Sequence, residues 1–81
     1  MTGITGEEED RIFSHMLLIA AVHKLPAKQQ VIVALRTAGY TQQECGEIVG
    51  MTRAAIGFIY KRALKRLRQF MLEALAEGQM T

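Results

Sequence analysis

The residues with the clearest chemistry are cations. From Arg53 to Arg68 every charged residue is positive: Arg53, Lys61, Arg62, Lys65, Arg66 and Arg68. Lysine and arginine at such density serve binding to an anion rather than bond-making, and a polyanion is the natural partner. The acidic residues sit elsewhere, with Glu7, Glu8, Glu9 and Asp10 forming a start of opposite sign. The net charge of +2 hides this asymmetry. At helical spacing, Lys61, Arg62, Lys65, Arg66, Arg68 and Gln69 share one arc. Ile56, Ile59, Ala63, Leu64, Leu67, Phe70, Met71, Ala74 and Leu75 share the other. A solvated face is the ordinary reading of a charge run. The lack of any acid on this arc before Glu73 favours contact with phosphates.

The other reactive side chains form no catalytic or metal-binding set. His15 and His23 are eight residues apart, with no cysteine or carboxylate at ligand spacing, so they read as surface or interface residues and no metal is expected. Cys45 is the one cysteine, which excludes an intrachain disulfide and fits a reducing, cytoplasmic setting. Its position reads as a small core hydrophobe rather than a nucleophile. Glu7–Asp10 match the positive end of a helix dipole. The five methionines read as core filler. No enzyme and no cofactor is expected. The apolar run Met16–Val22 is too short to span a bilayer, so no membrane partner is expected.

These cations need an element to project them. The 81 residues suit one domain, and 49% hydrophobic with 22% charged residues is a globular composition. Residues 1–5 show no periodicity and are expected to be disordered. Thr5 with Glu8 reads as a capping box for a first helix over residues 6–24. Ile12, Met16, Ile19 and Ala20 form a stripe on that helix, while Leu17, Leu18, Ala21 and Val22 fill its other sides. A helix apolar all round is wrapped by neighbours or used as an interface. Pro26 suits the first turn of a second helix, residues 26–38, with Val31, Ile32, Ala34 and Leu35 as its apolar side and Gly39 ending it. Thr41 and Glu44 form a second capping box, for a short helix over residues 42–49. Gly50 ends that helix, and Thr52 caps a long last helix over residues 53–77, before Gly78. The expected fold is all-α, a small bundle of about four helices with a helix-turn-helix at 41–61 and a long C-terminal recognition helix.

The helix-turn-helix reading rests on fixed places. Gly46 supplies the small residue where two helices meet, and Gly50 tolerates the positive φ of the turn. Cys45, Ile48, Val49, Met51, Ile56 and Ile59 supply buried brackets around it. A basic, solvent-facing helix then follows, as a major-groove reader requires.

The stretch Leu25–Arg68 resembles the fourth conserved region of bacterial sigma factors, and the likeness extends over about residues 12–70. It is carried by Leu25-Pro26 opening a helix, by Gly39-x-Thr41-x-x-Glu44, by Val49-Gly50-Met51-Thr52, and by Arg62-Ala-Leu-Lys-Arg-Leu-Arg68. The resemblance implies binding to double-stranded DNA at a promoter element and contact with RNA polymerase, in a stand-alone regulator of bacterial or phage origin. Arg53 matches a position that often contacts bases. Ala54, Ala55, Gly57 and Phe58 depart from the polar readers usual there, but alanine and phenylalanine can touch thymine methyl groups.

The sequence therefore points to a DNA-binding transcription regulator. Thr52, Arg53, Ala54, Gly57 and Phe58 are expected to face bases, and Gln42, Gln43, Lys61, Arg62, Lys65 and Arg66 to face phosphates. A homodimer through the first helix, the end of the last helix near Leu72, or both would cover the surplus apolar surface. Two other readings stay open. One is a protein-interaction module that binds RNA polymerase or a sigma factor. The other is a phage DNA-packaging or replication subunit that assembles as a ring.

Overall fold

The structure, a computed structural model, describes residues 6–79. The expected disorder of residues 1–5, and the capping role expected of Thr5, lie outside the described residues. Four helices follow in order: α1 (Gly6–His23), α2 (Ala27–Thr37), α3 (Gln42–Val49) and α4 (Arg53–Gln79). Among the described residues there is no strand, so the fold is all-α as expected.

The helix ends follow local chemistry. Thr41 accepts the Glu44 N–H at 3.1 Å while the Glu44 carboxylate accepts the Thr41 N–H at 2.9 Å, so the capping box of α3 is complete. Hydrogen bonding to the carboxylate, first from the Thr41 backbone N–H and then from the Thr41 side chain, holds the Glu44 pKa below its ordinary value. Thr52 caps α4 by accepting the Ala55 N–H at 3.1 Å. Pro26 is the N-cap of α2 rather than a residue of its first turn, with φ −54° and ψ 148°. The α1–α2 corner is tied by Gln30, whose amide donates to the carbonyls of Leu25 at 2.8 Å and His23 at 3.2 Å. Helix α4 does not stop before Gly78 but runs through it to Gln79.

Two small hydrophobic clusters hold these elements. The first joins Ala21 and Leu25 to Val33 of α2 and to Ala63 and Leu67 of α4. The second joins Ile32, Cys45 and Ile56, with Leu35, Val49, Met51 and Ile59 packed around them. Tyr60 packs against both. Helix α2 lies between them and so buries two adjacent residues, Ile32 and Val33. The expected apolar side of α2 is corrected accordingly: Val31 and Ala34 are exposed and Leu35 is half-buried. One stripe at helical spacing cannot describe a helix that serves two cores.

Three further expectations of burial are corrected. Ile48 was expected to bracket the turn from inside and is exposed. Leu64 and Leu75 were assigned to the packed arc of α4 and are exposed too. Ile48 lies on α3, and Leu64 and Leu75 lie on α4. In α1, Ile12, Met16, Ile19 and Ala20 are all exposed and Ala21 is buried, so of the two readings of that helix the one in which neighbours wrap it does not hold.

Candidate nucleic-acid interface

The geometry of the α3–α4 corner sets the direction of α4. Gly50 closes α3 in the left-handed conformation at φ 75°, where a side chain would be strained. The Met51 N–H then donates to the Gly46 carbonyl at 2.8 Å. A Cβ on Gly46 would run into the Met51 carbonyl oxygen, so the backbone of the turn crosses α3 at this one position. Cys45 and Ile56, both fully buried, lock the corner from inside. Burial of Cys45 as a free thiol matches its reading as a core residue.

With α4 so directed, its basic side faces solvent. Arg53, Lys61, Arg62, Lys65, Arg66 and Arg68 are all exposed, the five from Lys61 to Arg68 away from Ile56, Ala63 and Leu67 and Arg53 at the α3 corner. Phe58 stands among them at 61% exposure. The Arg62 guanidinium lies over the Phe58 ring, 5.5 Å from its centroid. At this separation the pair is a cation–π contact, which restrains both side chains on the surface. Phe58, Arg62, Lys65, Arg66 and Gln69 line one shallow groove.

A second concavity joins the starts of α3 and α4 and is lined by Arg36, Thr41, Gln42, Gln43 and Arg53. The expected residues thus fall into two groups. Arg53 lies with Gln42 and Gln43, whereas Phe58 lies with Arg62, Lys65 and Arg66. Ala54 precedes Phe58 by one helical turn and is exposed beside it, and Lys61 is exposed on the arc between the groups. The Thr52 hydroxyl oxygen is engaged by the Ala55 N–H, which leaves its own O–H as a donor. Gly57 is half-buried against Gln42, and a Cβ built on it would come within 3.0 Å of Gln42 Oε1. A side chain at Gly57 would therefore make the Gln42 amide give way by a few tenths of an ångström.

Arg36 was not among the expected site residues. One of its amino groups donates to the Tyr40 carbonyl at 2.7 Å, and its guanidinium lies over the Tyr60 ring at 5.3 Å. The contacts fix it at the edge of the concavity while leaving other N–H groups for an anion. Local sequence holds no sign of this, because Tyr60 comes from a different helix. Among the described residues no three histidine, cysteine or acidic side chains gather as a metal site.

The sequence matches the family model described as Sigma-70, region 4, over residues 15–67. No curated protein and no solved structure matches the chain.

Proposed function

This chain belongs to the sigma-70 region 4 family of DNA-binding helix-turn-helix domains, and on that premise we propose that it is a transcription regulator reading double-stranded DNA with the outer face of α4. The observation that carries the proposal is the exposed cation series Arg53–Arg68, which has no acidic residue among it and whose members Lys61 to Arg68 face away from both hydrophobic clusters. Lys61, Arg62, Lys65 and Arg66 contact phosphates, and Gln42 and Gln43 hold the backbone at the start of α3. Arg53 reads a base edge, with Thr52 and Gly57 beside it. Ala54 and Phe58 read thymine methyl groups in place of the hydrogen-bonding side chains they replace. The protein acts as a homodimer, so its site is an inverted repeat of two half-sites.

Selection of bound duplexes from a random pool at physiological salt tests this reading. The expected result is a reproducible, symmetric, thymine-containing motif. Recovery of no motif beyond a non-specific control would overturn it. A second reading has its own observation. An apolar groove between α1, α2 and α4, lined by Leu18, Val22, Val33, Tyr60 and Leu64, supports binding to RNA polymerase or a sigma factor. Tight binding to polymerase with sequence-blind DNA binding would favour that reading.

A further inference from the structure

Helix α1 turns its apolar side outward. Ile12 is 48% exposed, Phe13 58%, Met16 64% and Ile19 45%. On the side that meets the rest of the fold, Ala21 is buried and Leu17 and Val22 are half-buried. A helix that packs on a monomer shows the opposite arrangement. The outward face has an ordered sequence: Glu9, then Ile12 and Phe13, then Met16, then Ile19 and Ala20, then His23. Steps of three and four residues keep all of them on one seam.

This seam is symmetric about Met16 in its apolar residues and antisymmetric in its ends. Ile12 and Phe13 lie three or four residues before Met16, and Ile19 and Ala20 lie three or four after it. Seven residues before it stands Glu9, in the acidic first turn with Glu7 and Glu8. Seven residues after it stands His23, followed by Lys24 and, across the corner, Lys28. Such a face is complementary to itself only when reversed. An antiparallel copy sets apolar pairs against apolar pairs and each acidic end beside the other's basic end. It also opposes the two helix dipoles favourably. A parallel copy would set acidic turn against acidic turn.

We infer that two copies of this chain pair through α1 in an antiparallel arrangement, with Met16 on the two-fold axis and Glu9 beside the partner's His23 end. This rests on the homodimer of the proposed function and fixes its surface and register. Residues that sum to 32 then face each other, so Ile12 meets the second copy's Ala20 and Met16 meets itself. Ile12 is separated from its own copy by about 12 Å along the axis, at about 1.5 Å per residue. A disulfide spans at most about 7 Å between α-carbons.

The test uses the full chain in sedimentation and in mild oxidation of cysteine variants, where fully buried Cys45 does not compete. The wild type is expected to be a dimer at tens of micromolar. Met16→Glu should raise its dissociation constant at least tenfold with helical circular dichroism retained, and Leu72→Glu should leave it unchanged. Met16→Cys should cross-link with itself. Ile12→Cys and Ala20→Cys should fail to cross-link alone and succeed when mixed. Self-cross-linking of Ile12→Cys would overturn the antiparallel register. Dissociation by Leu72→Glu but not by Met16→Glu would overturn the surface. A monomeric wild type that still selects a DNA motif would overturn the pairing while leaving DNA reading intact, and loss of the motif alone would do the reverse.

Discussion

Replacing Lys65 by glutamine isolates the electrostatic part of the DNA reading. Lys65 is exposed, shares a groove with Phe58, Arg62 and Arg66, and packs against neither hydrophobic cluster. Lysine and glutamine have similar helix propensities, so the fold should be unchanged. Each phosphate neutralised on a duplex releases counterions, and the logarithm of affinity falls with the logarithm of salt by about 0.9 per contact. Lys61, Arg62, Lys65 and Arg66 together give a slope of about −3.6 for each bound α4. Raising salt from about 50 to about 200 mM should then weaken binding by about 150-fold. For Lys65→Gln the slope becomes about −2.7 and the loss about 40-fold. Fluorescence anisotropy on a short duplex across that salt range reads both numbers, with a scrambled duplex alongside. The variant should weaken both duplexes alike, because a phosphate contact carries no sequence information. An unchanged slope, or a loss confined to one duplex, would show that Lys65 does not meet the backbone.

Three other substitutions probe the remaining parts. On a selected site, replacing thymine by deoxyuracil under Phe58 removes one methyl group and should cost about 0.8 kcal/mol, near fourfold in affinity; Phe58→Ala should abolish that difference, and equal discrimination by both proteins would remove Phe58 from base reading. Gly46→Ala forces a Cβ against the Met51 carbonyl and should destabilise the fold by about 1–3 kcal/mol in urea unfolding, with no loss expected if the turn can open freely. The Glu44 carboxyl has a lowered folded pKa, so its contribution is present at neutral pH and lost as pH falls through that value. Glu44→Gln keeps a capping partner that does not titrate. The stability difference between wild type and this variant should therefore shrink on acidification, and a constant difference would show that the carboxylate does not cap.

The parts of this fold that were legible in the sequence are those fixed within one turn of chain. The Thr41–Glu44 capping box, the Gly50 stop and the Thr52 cap each involve residues three or four apart, so type and spacing suffice. The outward direction of the α4 cations was legible because periodicity over many turns averages out single exceptions. What failed was tertiary. The burial of Val33 depends on α2 lying between two clusters, and the exposure of Ile48, Leu64 and Leu75 is likewise set by which helices pack against which side. The place of Arg36 depends on Tyr40 and Tyr60, and the close approach at Gly57 depends on Gln42 from another helix. Hydrophobicity records that a side chain should leave water, and it does not record which surface will receive it.

The exposed face of α1 and the basic face of α4 are linked by the size of the core. Ala21 is the one fully buried residue that α1 contributes, near its C-terminal end, and from Glu7 to Met16 every residue is exposed. Most helical stability in proteins comes from packing of an amphipathic face, which the N-terminal turns of α1 do not find within the chain. Pairing through the Met16 seam would supply it, and helix content in that segment would then rise with protein concentration. The C-terminal end of the same helix packs through Val22 and Lys24 against the α4 segment that includes Ala63 and Phe70. Ordering α1 therefore steadies the rod that carries Lys61–Arg68. On the proposed pairing, dimer formation and the presentation of two basic helices to an inverted repeat would be one event rather than two.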